Sequence, residues 1–142
     1  MLIRQMEARD LAQVAPLATQ LGYPSTESQL EAPFQKLQSS PNAALFVAEI
    51  DGQIAGWIQI SRETQSLIAA ARAEIMALVV DERQRGQKVG AKLIAKAEGW
   101  AKQNNLRLIR VRSNVIRERA HKFYQREGYS IKKTWHLFTK EV

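Results

Sequence analysis

Apolar positions recur along the chain with two periods, and the switches between them mark out the elements. Leu2 to Met6 reads as a short strand. Asp10 is placed to cap a helix in which Leu11, Val14, Ala15, Leu17, Ala18 and Leu21 recur at helical spacing. Gly22-Tyr23-Pro24 ends it, because glycine suits a helix stop and proline cannot continue one. Ser25 or Thr26 opens a second helix that runs to about Gln38. Two apolar-rich strands follow, Ala43 to Ile50 and Gln53 to Ser61, joined by the hairpin pair Asp51-Gly52. A polar loop runs from Arg62 to about Ser66, and Ala73 to Val80 reads as a buried strand.

Asp81 to Lys88 is polar, basic and glycine-containing, and therefore a loop. From Val89 to Gln103 a helix places Val89, Leu93, Ile94, Ala97, Trp100 and Ala101 on one face. Leu106 to Val111 alternates as a strand, with Leu106, Leu108 and Arg110 on one side and Arg107, Ile109 and Val111 on the other. Val115 to Glu127 is a helix that clusters Ala120, Phe123 and Tyr124 before Gly128-Tyr129 ends it. Ile131 to Thr139 is a last extended stretch or hairpin. The order βααβββαβαβ predicts an α/β (α+β) domain with a mixed sheet. In 142 residues there is no repeat, low-complexity tract or linker, which predicts one continuous domain over residues 1–142.

Composition narrows the chemistry. The absence of cysteine excludes disulfides, thiol nucleophiles, thiolate zinc and ligated iron–sulfur clusters, and two histidines, His121 and His136, leave little room for a histidine metal centre. No metal is expected. No apolar run approaches the ~18 residues of a membrane helix, and the opening MLIRQMEARD lacks a secretory core. A soluble, cytoplasmic protein without membrane association is the expectation. Charge is unevenly spread. Residues 1–82 carry 5 basic and 10 acidic side chains, whereas residues 83–133 carry 15 and 3. The basic half reads either as a field for a polyanion or as a solvated face.

The stretch Arg83-Gln84-Arg85-Gly86-Gln87-Lys88-Val89-Gly90 lies between a strand and a helix. Amides at a helix N-terminus lack intrahelical partners and sit at the positive end of the dipole. With Arg83, Arg85 and Lys88 beside them, they suit a pyrophosphate. The alternative is a basic, glycine-containing turn. The spacing matches neither a P-loop nor the three-glycine dinucleotide fingerprint.

From Ala73 to Tyr129 the sequence resembles the GNAT N-acetyltransferase superfamily. Leu78-Val79-Val80 matches its Leu-x-Val strand, and Arg85-Gly86-Gln87-Lys88-Val89-Gly90 matches its Arg/Gln-x-x-Gly-x-Gly/Ala loop, with Lys88 standing where the first motif glycine usually is. Downstream, Ala120-His121-Lys122-Phe123-Tyr124-Gln125-Arg126-Glu127-Gly128-Tyr129 resembles the Ala-x-x-Phe-Tyr-x-x-x-Gly-Phe/Tyr segment. The resemblance implies a mixed, mostly antiparallel sheet of six to seven strands flanked by about four helices. It implies acetyl transfer from acetyl-CoA, as co-substrate, to a primary amine. Carried over residue by residue, the Leu78-Val79-Val80 strand would pair with the pantetheine arm through the amides of Leu78 and Val80. Amides of Arg85, Gly86, Gln87, Lys88, Val89, Gly90 and Ala91 would hold the pyrophosphate. Asn114 would contact the cofactor, and Tyr124 would give a proton to the departing thiolate. Homodimers are common in this superfamily.

The chemistry is coherent on its own terms. Amine attack builds an oxyanion that backbone donors on a strand can stabilise, and a phenol need only assist a thiolate that leaves readily. Apart from the resemblance, Tyr124 reads as a core aromatic beside Phe123. The position of the usual strand carboxylate is Met76, which is no base. Glu74, two residues away on the same sheet face, reads either as a base, direct or through water, or as an exposed strand-end carboxylate. His121 reads as a surface histidine, and Arg117 and Arg119 as adenosine-phosphate contacts or solvated charges. Trp57, Trp100 and Trp135 read as core or interface, and Tyr23-Pro24 lies where an acceptor pocket is shaped. The acceptor is left open among a polyamine, an amino acid, an antibiotic amine and a protein amine, with the acidic first part suiting a cation. Two further readings stand beside this one: a CoA-binding domain without catalysis, and a basic nucleic-acid-binding module, which would bind through phosphates.

Overall fold

Strands β1 (Leu2–Gln5), β2 (Ala43–Ile50), β3 (Gln53–Glu63), β4 (Arg72–Val80) and β5 (Ile109–Val111) form one sheet in that order. The first three pairings are antiparallel and β4–β5 is parallel. The computed structural model describes all 142 residues and divides into two compact units, Met1–Arg112 and Ser113–Val142. The first holds the sheet and the helices α1 (Leu11–Leu21), α2 (Glu27–Gln38) and α3 (Val89–Gln103); the second holds α4 (Glu118–Arg126).

In the first unit the register sorts side chains to two faces. Val47, Trp57 and Val79 are cross-strand partners, and they pack with Leu11, Val14 and Leu17 of α1 and Phe34 of α2. One residue along, Phe46 lies under Lys96 of α3 on the other face, 5.5 Å from ring centroid to ammonium. The predicted α3 stripe is buried at Val89, Leu93, Ile94, Ala97 and Ala101, with Trp100 half-buried. Truncating one such leucine to alanine costs about 2–5 kcal/mol. Gly56 of β3 faces this stripe. A Cβ there would lie 2.7 Å from the Val79 carbonyl oxygen and 3.2 Å from Val89, so only glycine lets β3, β4 and α3 meet this closely.

Helix ends explain where the sequence reading slips. Of the two residues the sequence offers, Ser25 and Thr26, it is Thr26 that caps α2: its hydroxyl accepts from the Gln29 amide, and the Gln29 side chain accepts from the Thr26 amide. Asp10 does not cap α1. Its carboxylate is held bidentately by Arg4 at 2.8 and 2.9 Å, and one oxygen also accepts from the Glu7 amide. These contacts outweigh burial and hold the Asp10 carboxyl below its ordinary pKa. Strand β5 starts at Ile109 instead of Leu106, because Leu106 completes the stop of α3 by donating its amide to Ala101, with Asn105 left-handed at φ 58°. Helix α4 starts at Glu118 instead of Val115, because the Asn114 carboxamide oxygen accepts from the Ile116 amide and holds that segment in a turn. The sheet has five strands, not six to seven. Residues 130–142 form no strand and are exposed throughout, since an extended-looking run becomes a strand only when a partner satisfies its backbone.

Candidate active site

Strand β4 ends at Val80 and leads through Asp81 and a short 3-10 turn, Glu82–Gln84, to the start of α3. Asp81 fixes this path. Its amide donates to Ala55 on β3 at 2.8 Å, and its buried carboxylate accepts from the Arg83 amide, from Arg83 Nε and Nη2 and from Gln20 of α1. The Arg83 hydrogen bond holds the Asp81 carboxyl down at about 2 against the opposing effect of burial. Gln20 also accepts from the Glu82 amide, so α1 grips both residues that open the loop.

Arg85, Gly86, Gln87 and Lys88 are exposed, and Val89 and Gly90 are buried. Lys88, the N-cap of α3, is left-handed at φ 61°, ψ 23°. A lysine here adopts a backbone that glycine takes freely, at a cost of about 1–2 kcal/mol. The first bond of the helical ladder runs from the Lys92 amide to the Lys88 oxygen, so the amides of Val89, Gly90 and Ala91 precede that ladder. Unsatisfied amides, the helix dipole and flanking cations together give the start of α3 the means to hold an anion.

Alongside β4, on the face covered by α1 and α2, lies a cavity of about 370 Å³. Pairing of β3 with β4 slips by one residue between Gln59 and Ile60, leaving Met76 as the extra residue of a bulge. Met76 and Ala77 line the cavity, and Leu78 follows directly. Tyr23 and Trp57 line it too. Glu74 does not. It is 6% exposed, which overturns the exposed strand-end reading, and its Oε1 accepts from Arg110 at 2.8 Å and pairs with Arg112 at 3.3 Å. No acidic side chain lines the cavity, so the acidity of the first part is not expressed there.

In the second unit, the Phe123-Tyr124…Gly128-Tyr129 motif acquires a physical meaning. Gly128 is left-handed at φ 95°, its amide donates to Gln125, and the Tyr129 amide donates to Tyr124. This is a Schellman stop, and its ring contact is Tyr124 against Tyr129 at 6.0 Å. Phe123 touches Tyr124 edge-on at 5.3 Å. Burial raises the Tyr124 phenol above its ordinary value and the Arg117 charge opposes it, so the phenol keeps its proton at neutral pH. Asn114 and His121 lie together, with His121 Nε2 2.9 Å from the Asn114 backbone oxygen.

Sequence reasoning missed Gln20, Asp81 as an anchor, and Gly56. An aspartate closing an apolar strand ahead of a basic loop was a visible signal for Asp81. Gln20 and Gly56 act through long-range contacts that leave no local pattern.

A mixed sheet whose fourth strand runs into a basic, amide-presenting helix start defines a class of fold and site. The chain belongs to the acetyltransferase (GNAT) family, whose model matches residues 8–129. It is 38% identical over 102 residues to the aminoalkylphosphonate N-acetyltransferase of Salmonella typhimurium, covering 72% of this chain and 65% of that protein. This chain spans less than two thirds of the length of the curated relatives it matches. Among solved structures it is similar to the aminoglycoside 6'-N-acetyltransferase AAC(6')-IG of Acinetobacter haemolyticus, with a TM-score of 0.87 at 19% identity over 100% of this chain and 99% of that one. It is also similar to aminoglycoside N-acetyltransferase AAC(6')-Iy in complex with CoA, with a TM-score of 0.85 at 20% identity over 99% of both chains. At these identities the two likenesses establish the fold. No helix is long and apolar enough to cross a membrane.

Proposed function

We propose that this chain acts as one acetyltransferase domain over residues 1–142, in the cytoplasm, moving an acetyl group from acetyl-CoA to a primary amine by direct attack. The observation that carries the reading is the loop after β4. Lys88 takes the left-handed conformation of a motif glycine, so that Val89, Gly90 and Ala91 present their amides at the start of α3. Family membership and the CoA named with a relative of the same fold support the reading.

Bound acetyl-CoA would supply the acetyl group as a thioester. The chain's residues then do four things. Amides of residues 85–91, with Arg85 and Lys88, neutralise the pyrophosphate. Leu78 and Val80 take the pantetheine arm as an added strand neighbour. Tyr124, with its phenol raised by burial, is the proton donor for the thiolate. Asn114, which leads into α4, is assigned a contact with the same co-substrate. Glu74 is assigned no step, because both guanidinium groups beside it occupy its carboxylate. The amine therefore enters as its neutral form and gives its proton to water, so the rate rises with pH toward the amine's own pKa near ~10.

Thermal unfolding with and without acetyl-CoA tests the reading. Saturation 100-fold above Kd adds about 2.7 kcal/mol and raises the midpoint. Release of CoA in the presence of an amine then establishes turnover. An unmoved midpoint at millimolar acetyl-CoA would remove the co-substrate and leave the basic half to be tested against nucleic acid at low salt.

A further inference from the structure

We propose that the acceptor is a primary amine carried on an uncharged, apolar body of arylalkylamine type that bears one hydrogen-bond-accepting group. The proposal rests on the acetyltransferase reading and names the substrate class of that same site.

Four observations on the first unit carry it. The cavity beside β4 is walled mainly by Leu11, Leu21, Leu30, Phe34, Trp57 and Met76, and none of its 16 lining residues carries a charge. A polyamine or an aminoglycoside entering it would lose hydration from several ammonium groups with no carboxylate to replace it. A phosphonate would do so with no arginine or lysine. Trp57 adds a specific demand. Its indole Nε1 is buried and has no hydrogen-bond partner, although the residue lines the cavity. An orphaned buried donor is costly in the free protein, and a ligand acceptor such as an ether or carbonyl oxygen satisfies it once the indole turns toward the cavity on binding. Size agrees, because about 370 Å³ lies at the small-ligand end of ordinary binding cavities. Position agrees as well. Met76 and Ala77 line the cavity and Leu78 is the next residue of β4, so the cavity borders the stretch of strand assigned to the acyl arm.

The shape of the wall comes from the bulge. Met76 is 52% exposed and, as the extra residue of the bulge, has no partner on β3. A carboxylate at this position would have made the cavity a cation site; methionine makes it an adaptable apolar one.

The test uses the full chain with saturating acetyl-CoA and four amines: 2-phenylethylamine, its 4-methoxy analogue, spermidine and 2-aminoethylphosphonate. CoA release gives kcat/KM for each. We expect both aryl amines to exceed spermidine and aminoethylphosphonate by at least roughly tenfold, and the methoxy compound to exceed the plain one. Trp57→Phe, which keeps a ring and deletes the N–H, should lower kcat/KM for the methoxy compound by roughly three- to tenfold more than for 2-phenylethylamine, erasing the preference between the two. Leu30→Asp, at a half-buried wall position, should turn the preference toward spermidine. Preference of the unaltered protein for either charged amine, equal rates with all four, or no turnover of any amine while acetyl-CoA still raises the unfolding midpoint would each overturn the proposal. An unmoved midpoint would instead overturn the acetyltransferase reading beneath it.

Discussion

The loop at residues 81–91 and the cavity beside Met76 border opposite ends of the same few residues of β4, and they are built from opposite materials. The loop offers main-chain amides, a helix start and flanking cations. The cavity offers side chains that carry no charge. A backbone site is defined by conformation, so it tolerates lysine in place of glycine once Asp81, Gln20 and the start of α3 fix the turn. A side-chain site has no such tolerance: on the proposal above, the single residue Met76 sets the charge of the wall.

The largest expected effect separates chemistry from both regions. Tyr124→Phe should lower kcat by roughly 10²-fold while leaving KM for acetyl-CoA and for the amine near their original values in steady-state kinetics. An unchanged kcat would return Tyr124 to a structural role in the stop of α4. Next comes the position that disturbs both regions at once. Gly56→Ala sets a Cβ against the Val79 carbonyl oxygen, and relief requires β4 to move. Calorimetry should show a loss of about 1–3 kcal/mol, with both KM values raised; a midpoint within a degree of the original would mean that the strands yield freely.

A smaller change sharpens the contrast. Lys88→Gly removes a left-handed side chain and should stabilise the protein by up to about 1 kcal/mol. It also removes a cation, so KM for acetyl-CoA should rise and depend less on salt while KM for the amine stays put. A parallel change in both constants would show that the two regions are not independent. The smallest effect is confined to acid. The Asp81 carboxyl is held at about 2, below its ordinary 3.8, first of all by the Arg83 hydrogen bond. A depressed carboxylate contributes stability above its unfolded pKa and loses it as pH falls toward the folded one. Resistance to urea unfolding should therefore weaken as pH falls from about 4 to 2, and Asp81→Asn should flatten that part of the profile.

Much of this was legible in the sequence, for local reasons. The boundaries of β2 and α3 follow from their apolar patterns and from Asp51-Gly52, and Thr26 with Gln29 announces the start of α2. The loop was readable because strand, glycine, basic residues and helix follow one another without interruption. Misplacements occurred where a short-range signal served a different partner. Asp10 looked like a cap and is bound by Arg4. Leu106 looked like strand and finishes a helix. Asn114 delays α4 by forming a turn.

What the sequence by itself determined is most of the elements, the family and the basic loop that opens α3, because helical and strand periods, turn residues and helix starts are properties of neighbours along the chain. Tertiary structure alone decided the rest. Residues 131–139 read as extended, but a strand exists only where another backbone pairs with it. Glu74 became an ion-pair partner because parallel pairing set Arg110 directly opposite it in β5. The cavity became neutral because the bulge at Met76 and the packing of α1 and α2 on β3 and β4 gathered uncharged residues from five segments of the chain. Long-range register and packing choose which side chains share a space, and no local pattern encodes that choice.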